Sequence, residues 1–184
     1  MRPDWTRSST VMAIVLLSGG LGACRIDVDR DERSRARGVD IRTPMGALTA
    51  SNDPSGRNTG LPIYPGARPV TDDPKRDSGN VDIDTPLFRL KVATATFDVD
   101  ARPAEVLDFY RDALGTYGAV TECRGKVDFG GGRNRRLRCR EEGWFEDEIQ
   151  LAVGPEDAPR IATVKPRRGG TRFTLVTLEA RQRS

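Results

Sequence analysis

The stretch Phe88-Arg89-Leu90-Lys91-Val92-Ala93-Thr94-Ala95-Thr96-Phe97-Asp98-Val99, followed three residues later by Pro103-Ala104-Glu105-Val106-Leu107-Asp108-Phe109-Tyr110-Arg111-Asp112-Ala113-Leu114, decides how this chain is read. In the first part apolar residues alternate, at Phe88, Leu90 and Val92 and then, in the opposite phase, at Ala93, Ala95, Phe97 and Val99. A period of two is the mark of a strand. The change of phase predicts a β-bulge or a bend near residue 92. In the second part the period becomes helical: Val106, Leu107, Tyr110, Ala113, Leu114 and Tyr117 fall on one stripe. Pro103 suits a first helical position, where its missing N–H would have no partner anyway, and Gly118 suits the stop. Shorter strand candidates follow at residues 119–124, 135–140, 148–153, 160–165 and 172–179. Consecutive strands joined by short turns form antiparallel meanders. The expectation is one α+β domain over residues 61–184, a curved antiparallel sheet of five or six strands with one main helix packed on one face.

Upstream, Leu61-Pro62-Ile63-Tyr64-Pro65-Gly66-Ala67 opens the ordered part, with Ile63 and Tyr64 expected to dock on the core. Pro65-Gly66 suits the centre of a type II turn, where glycine accepts the positive φ. Residues 72–80 and 51–60 are rich in turn-forming and polar residues and read as loops. Residues 25–37 carry dense charges of both signs and little that a core can use, so residues 24–60 read as a flexible tether. Within it, residues 39–49 alternate around Pro44 to Gly46 and predict a short hairpin.

The chain has 184 residues, 36% hydrophobic and 31% charged, and its 30 basic and 27 acidic side chains leave a net charge of only +3, too small for a dominant cationic field. It contains no histidine. Serine–histidine and cysteine–histidine nucleophile systems are therefore excluded, as are zinc sites that need imidazole. No other residue pattern implies a cofactor or a metal.

The first residues are weakly basic, Val11 to Leu17 is apolar, and Leu21-Gly22-Ala23-Cys24 follows two glycines. This is the layout of a secretory leader, residues 1–23, and the apolar run is too short to span a bilayer. Leu21 suits ordinary signal peptidase poorly, because that enzyme prefers small residues at −3 and −1. The four residues instead resemble the lipobox of bacterial lipoproteins. That resemblance implies diacylation of the Cys24 thiol with chains of the palmitate kind, cleavage before Cys24, and acylation of the new amino group. Two or three acyl chains suffice for stable anchoring. Position 25 is Arg, whereas an Asp there holds many Gram-negative lipoproteins in the inner membrane. The implied location is the cell envelope, at the outer membrane if the source is Gram-negative.

Two further resemblances concern the rest of the chain. Residues 39–46 are similar to short valine–aspartate–isoleucine–x–threonine–proline–x–glycine strands of bacterial surface proteins. Tyr64-Pro65-Gly66-Ala67 with the helix Ala104-Glu105-Val106-Leu107-Asp108-Phe109-Tyr110-Arg111-Asp112-Ala113-Leu114 resembles a family of uncharacterised bacterial exported proteins, over roughly residues 61–180. This implies a fold and an envelope location, and no activity.

The remaining chemistry is sparse. With Cys24 acylated, Cys123 and Cys139 remain, placed symmetrically about Gly131 in the run Gly130-Gly131-Gly132. Such symmetry suits a disulfide across a hairpin in an oxidising compartment, the alternative being two buried free thiols. Arg136, Arg138 and Arg140 share one strand face and, with Lys165, Arg167, Arg168 and Arg172, are a candidate anion-binding patch for lipid phosphate or acidic glycan. Cross-strand ion pairing is the competing reading. No aromatic platform alternates with the arginines, so nucleic acid is not an expected partner. Glu141, Glu142, Glu146, Asp147 and Glu148 surround Trp144 and Phe145. They lack calcium-loop spacing and read as a solvated loop, with a carboxylate-dependent hydrolase as the minor alternative. The leading expectation is a membrane-anchored envelope protein whose domain binds a ligand or an envelope protein without catalysis. A carrier of an amphipathic ligand between helix and sheet is the first alternative.

Overall fold

A computed structural model of the chain describes residues 24–30, 36–71, 78–128, 138–140 and 147–183. The elements in order are β1 (Arg25–Arg30), β2 (Ala36–Thr43), β3 (Gly46–Ser51), β4 (Arg68–Pro69), β5 (Gly79–Asp84), β6 (Phe88–Val99), α1 (Pro103–Gly115), β7 (Thr121–Arg124), β8 (Lys126–Asp128), β9 (Arg138–Arg140), β10 (Ile149–Val153), β11 (Arg160–Arg167) and β12 (Gly170–Gln182). Ten strands form one antiparallel sheet in the order β1-β2-β3-β5-β6-β12-β11-β10-β7, with β4 beside the far end of β6, and β8 pairs only with β9. The α+β class with one helix on an antiparallel sheet holds, but the sheet is about twice as wide as the five or six strands expected.

The extra width comes from residues expected to be tether or loop. β1, β2 and β3 pair in sequence, and β3 pairs β5, which joins the predicted 39–49 hairpin to the main sheet. The charges that suggested a tether alternate with Ile26, Val28, Val39 and Ile41. Charge on one face of a strand is compatible with pairing; it only prevents that face from being buried.

The phase change in β6 is not a bulge. Its twelve residues pair without interruption from Phe88↔Gln182 to Val99↔Thr171. What changes is the covered face. Ala93, Ala95, Phe97 and Val99 are buried on the face that α1 and residues 52–67 share, whereas Phe88, Leu90 and Val92 point to the other side of the sheet.

The main core sits between α1 and β6, β10, β11 and β12. Tyr110, Leu114, Val106, Phe97, Phe173, Leu151 and Leu175 are nearly or wholly inaccessible there. Phe173 stacks on Phe97 with centroids 5.3 Å apart, and Tyr110 tilts against Phe173 at 5.3 Å. The Glu105 carboxylate accepts the Arg102 backbone N–H at 3.2 Å, holding the first turn of α1 where Pro103 has no N–H to offer. Residues 52–67 cross the same face beside α1. Gly56 has φ 70°, and a Cβ there would stand 2.6 Å from the Phe97 ring, so the crossing fits only glycine. Leu61, not Ile63, plugs the core, and Tyr64 packs edge-on against Phe109 at 5.2 Å while Ile63 is exposed. The turn expected at Pro65-Gly66 closes with Ala67 N–H donating to Tyr64 C=O at 3.1 Å and Gly66 at φ 77°.

Candidate functional site

Cys123 and Cys139 form a disulfide. Its placement differs from a hairpin cross-link. Cys139 pairs across with Val127 in the β8–β9 ladder, whereas Cys123 lies on β7 opposite Gln150. The bond therefore ties the small hairpin onto the sheet, on the face away from α1. Val127 N–H donates to Gln150 Oε1 at 2.9 Å, and Cys123, Val127, Ala152 and Ile161 form a second, smaller core. The thiol of Cys24 is free and exposed, one residue before β1.

The anion-patch expectation divides. Arg136 and the 129–137 tip lie outside the described residues, and Arg138 and Arg140 are placed by backbone on β9. Of the other members, Arg167 and Arg172 form ion pairs. Arg172 donates to both oxygens of Asp98, at 2.7 and 2.9 Å, and Arg167 reaches the same carboxylate at 3.5 Å. Hydrogen bonding from Arg172 holds the Asp98 carboxyl below its usual range. This is the cross-strand pairing that competed with the anion-site reading. In the acidic loop, residues 141–146 lie outside the described residues, and Glu148 accepts from Gln150 Nε2 at 3.1 Å.

The space between helix and sheet, where an amphipathic ligand was considered, is filled by side chains. Its largest fully buried side chain, Tyr110, ends in a hydroxyl that donates to Pro62 C=O at 3.2 Å and accepts from Tyr64 N–H at 3.3 Å. Burial pushes the Tyr110 phenol well up from its usual value.

The feature the sequence reading missed lies on the added strands. Residues directly opposite in an antiparallel ladder share a face. Ile26, Ile41, Leu48, Ile83, Leu90 and Ala180 are successive cross-strand partners, one from each of β1, β2, β3, β5, β6 and β12. So are Val28, Val39, Ala50, Val81, Val92 and Leu178. These two rows give an unbroken apolar face, continuous through Val176 with the small core under the hairpin. The chain has no significant match among protein-family models, curated proteins or solved structures.

The opposite side of the same strands is ionic. The outermost row runs Arg25, Arg42, Ala47, Asp84, Arg89, Arg181, and the next row inward Asp27, Asp40, Thr49, Asp82, Lys91, Glu179. Arg42 Nε donates to Asp40 at 2.9 Å, which holds the Asp40 carboxyl below its usual value, and Arg89 pairs with Asp82 at 3.0 Å. A groove of about 320 Å³ beside this face is lined by Ser51, Asn58, Asn80, Asp82 and Thr177; Asn80 Nδ2 is sequestered there without a hydrogen-bond partner among the described residues. Among the described residues no helix is long and apolar enough to cross a membrane.

Proposed function

We propose that the protein is an exported lipoprotein of the cell envelope, anchored to a membrane through acyl chains on Cys24, whose α+β domain serves binding or assembly rather than catalysis. The observation that carries this reading is Leu21-Gly22-Ala23-Cys24 closing an apolar leader. Three others support it. The Cys24 thiol is exposed and accessible to an acyl transferase. The Cys123–Cys139 disulfide suits an oxidising compartment. The Tyr64-Pro65-Gly66-Ala67 opening and the Glu105–Arg111 helix resemble exported proteins. Arg25 favours the outer membrane in a Gram-negative cell. Anionic lipid, acidic glycan or an envelope protein fits the domain as partner; nucleic acid does not. Intact-mass spectrometry of the membrane fraction tests the reading: a chain beginning at Cys24 with a diacyl or triacyl addition is expected, and an unmodified mature chain beginning elsewhere overturns it.

A further inference from the structure

We infer that the apolar face that runs across β1, β2, β3, β5, β6 and β12, rimmed by Met45 and Leu87, rests on the surface of a phospholipid bilayer. This deepens the anchoring reading and rests on it. Eight large hydrophobic side chains are exposed among the described residues, and six of them belong here: Ile26, Val28, Val81 and Phe88 on the face, Met45 and Leu87 in the two turns at its end. Met45 and Leu87 are 75% and 76% exposed, beyond what a solvated turn requires. Both turns are at the same end of the sheet, because Ala47 pairs with Asp84. Cys24 is at that end too, since Arg25 pairs with Arg42. The proposed anchor thus adjoins the apolar face with no linker, two residues before Ile26.

The covering partner is argued from size and charge. Six strands and two to three residue rows span about 500 Å², short of the roughly 800 Å² per partner that a stable protein interface buries. A bilayer needs no such area, because the acyl chains hold the face against lipid at high effective concentration. The two rows carry no charged side chain, so face-down contact desolvates no ion. The charged side lies behind them, turned away from the lipid, where Arg25 pairs with Asp27, Arg42 with Asp40 and Arg89 with Asp82, so its ions stay in water.

The test uses single thiols on the full chain. With Cys24 acylated and Cys123 bonded to Cys139, a new cysteine is the only free thiol. Val81→Cys at the centre of the face, Leu87→Cys at its rim and Asp112→Cys on the outer side of α1 each carry an environment-sensitive fluorophore. The protein is reconstituted in phosphatidylethanolamine–phosphatidylglycerol vesicles containing a bromine-chain phospholipid. The labels at 81 and 87 should be quenched severalfold, as for groups about 5–10 Å into the headgroup boundary, and the label at 112 should not. Quenching at 87 alone, equal quenching at all three sites, or none overturns the inference while the acyl mass keeps the anchor. A Val81 label equally shielded without vesicles also overturns it: sedimentation as a dimer assigns the face to a second copy, and as a monomer to another part of the same chain. If intact mass shows no acyl group, the anchoring reading fails separately. The face is then judged by adding the Cys24→Ser chain to preformed vesicles, where an unquenched Val81 label overturns it.

Discussion

The two halves of the sheet are joined by the same antiparallel pairing and yet are stabilised differently. In the half formed by β6, β12, β11 and β10, one face is sealed by α1 and the other partly by the β8–β9 hairpin, so alternate residues on both sides reach full burial. In the half formed by β1, β2, β3 and β5, one face is ionic and the other is apolar but uncovered among the described residues. There the side chains bury only against their neighbours in the sheet. The difference teaches that an antiparallel sheet can keep extending once a sealed core has fixed its first strands, because ladder hydrogen bonds propagate pairing without needing a second layer at every strand.

The comparison breaks most easily by removing the same kind of contact from each half. Tyr110→Ala in the sealed half should cost about 3–5 kcal/mol, because it opens a cavity beside Phe173 and leaves Tyr64 N–H without its partner. Val81→Ala on the open face should cost under about 1 kcal/mol. Denaturant midpoints of the two variants decide the matter, and equal losses would mean that the open face is covered.

The disulfide comes next. It encloses 15 residues, the sequence separation of 16 less one. Replacing both Cys123 and Cys139 with alanine should cost about 3 kcal/mol through the larger freedom of the unfolded chain, and should leave β1–β3 unaffected. Thermal melts with and without reductant give the size of the effect.

A smaller effect is pH-dependent. The Asp98 carboxyl is held below its ordinary value of 3.8, first by its hydrogen bond from Arg172. A carboxyl depressed in the folded state adds stability in full above its unfolded pKa and loses it as pH falls through the folded pKa. Asp98→Asn should therefore be less stable than the parent near neutrality and should lose less on acidification below about pH 4. Parallel stability–pH curves would contradict this. The smallest expected effect is at the exposed Arg42–Asp40 pair: Arg42→Gln should leave the melting midpoint unchanged within error, because exposed ion pairs are screened by solvent and salt.

Several of these elements were legible in the sequence for local reasons. The helix announced itself through the Val106–Tyr110–Leu114 stripe and Pro103, and the hairpin at 39–49 through alternation around Pro44. Other features were hidden by tertiary context. The shift from Val92 to Ala93 records which face α1 covers, and no local pattern distinguishes that from a bulge. β1 and β5 were missed because Arg25-Ile26-Asp27-Val28-Asp29 and Val81-Asp82-Ile83-Asp84 are as charged as a linker. β1 pairs with β2, and β5 with β3 and β6, and only that pairing shows that the intervening apolar residues align on one face. The disulfide pair was correct, but its setting was not, because the symmetry about Gly131 does not reveal that Cys123 belongs to β7.

Hydrogen–deuterium exchange read by mass spectrometry tests the division of the sheet most directly. The acylated protein in phosphatidylglycerol-containing vesicles is compared with the Cys24→Ser chain in solution. Peptides from residues 36–51 and 79–92 should exchange more slowly on the vesicles, because contact with the bilayer suppresses the local opening of a half-covered sheet, while peptides from residues 103–115 should exchange alike in both. Unchanged exchange in residues 36–51 and 79–92, or slowing confined to the helix, would contradict the account.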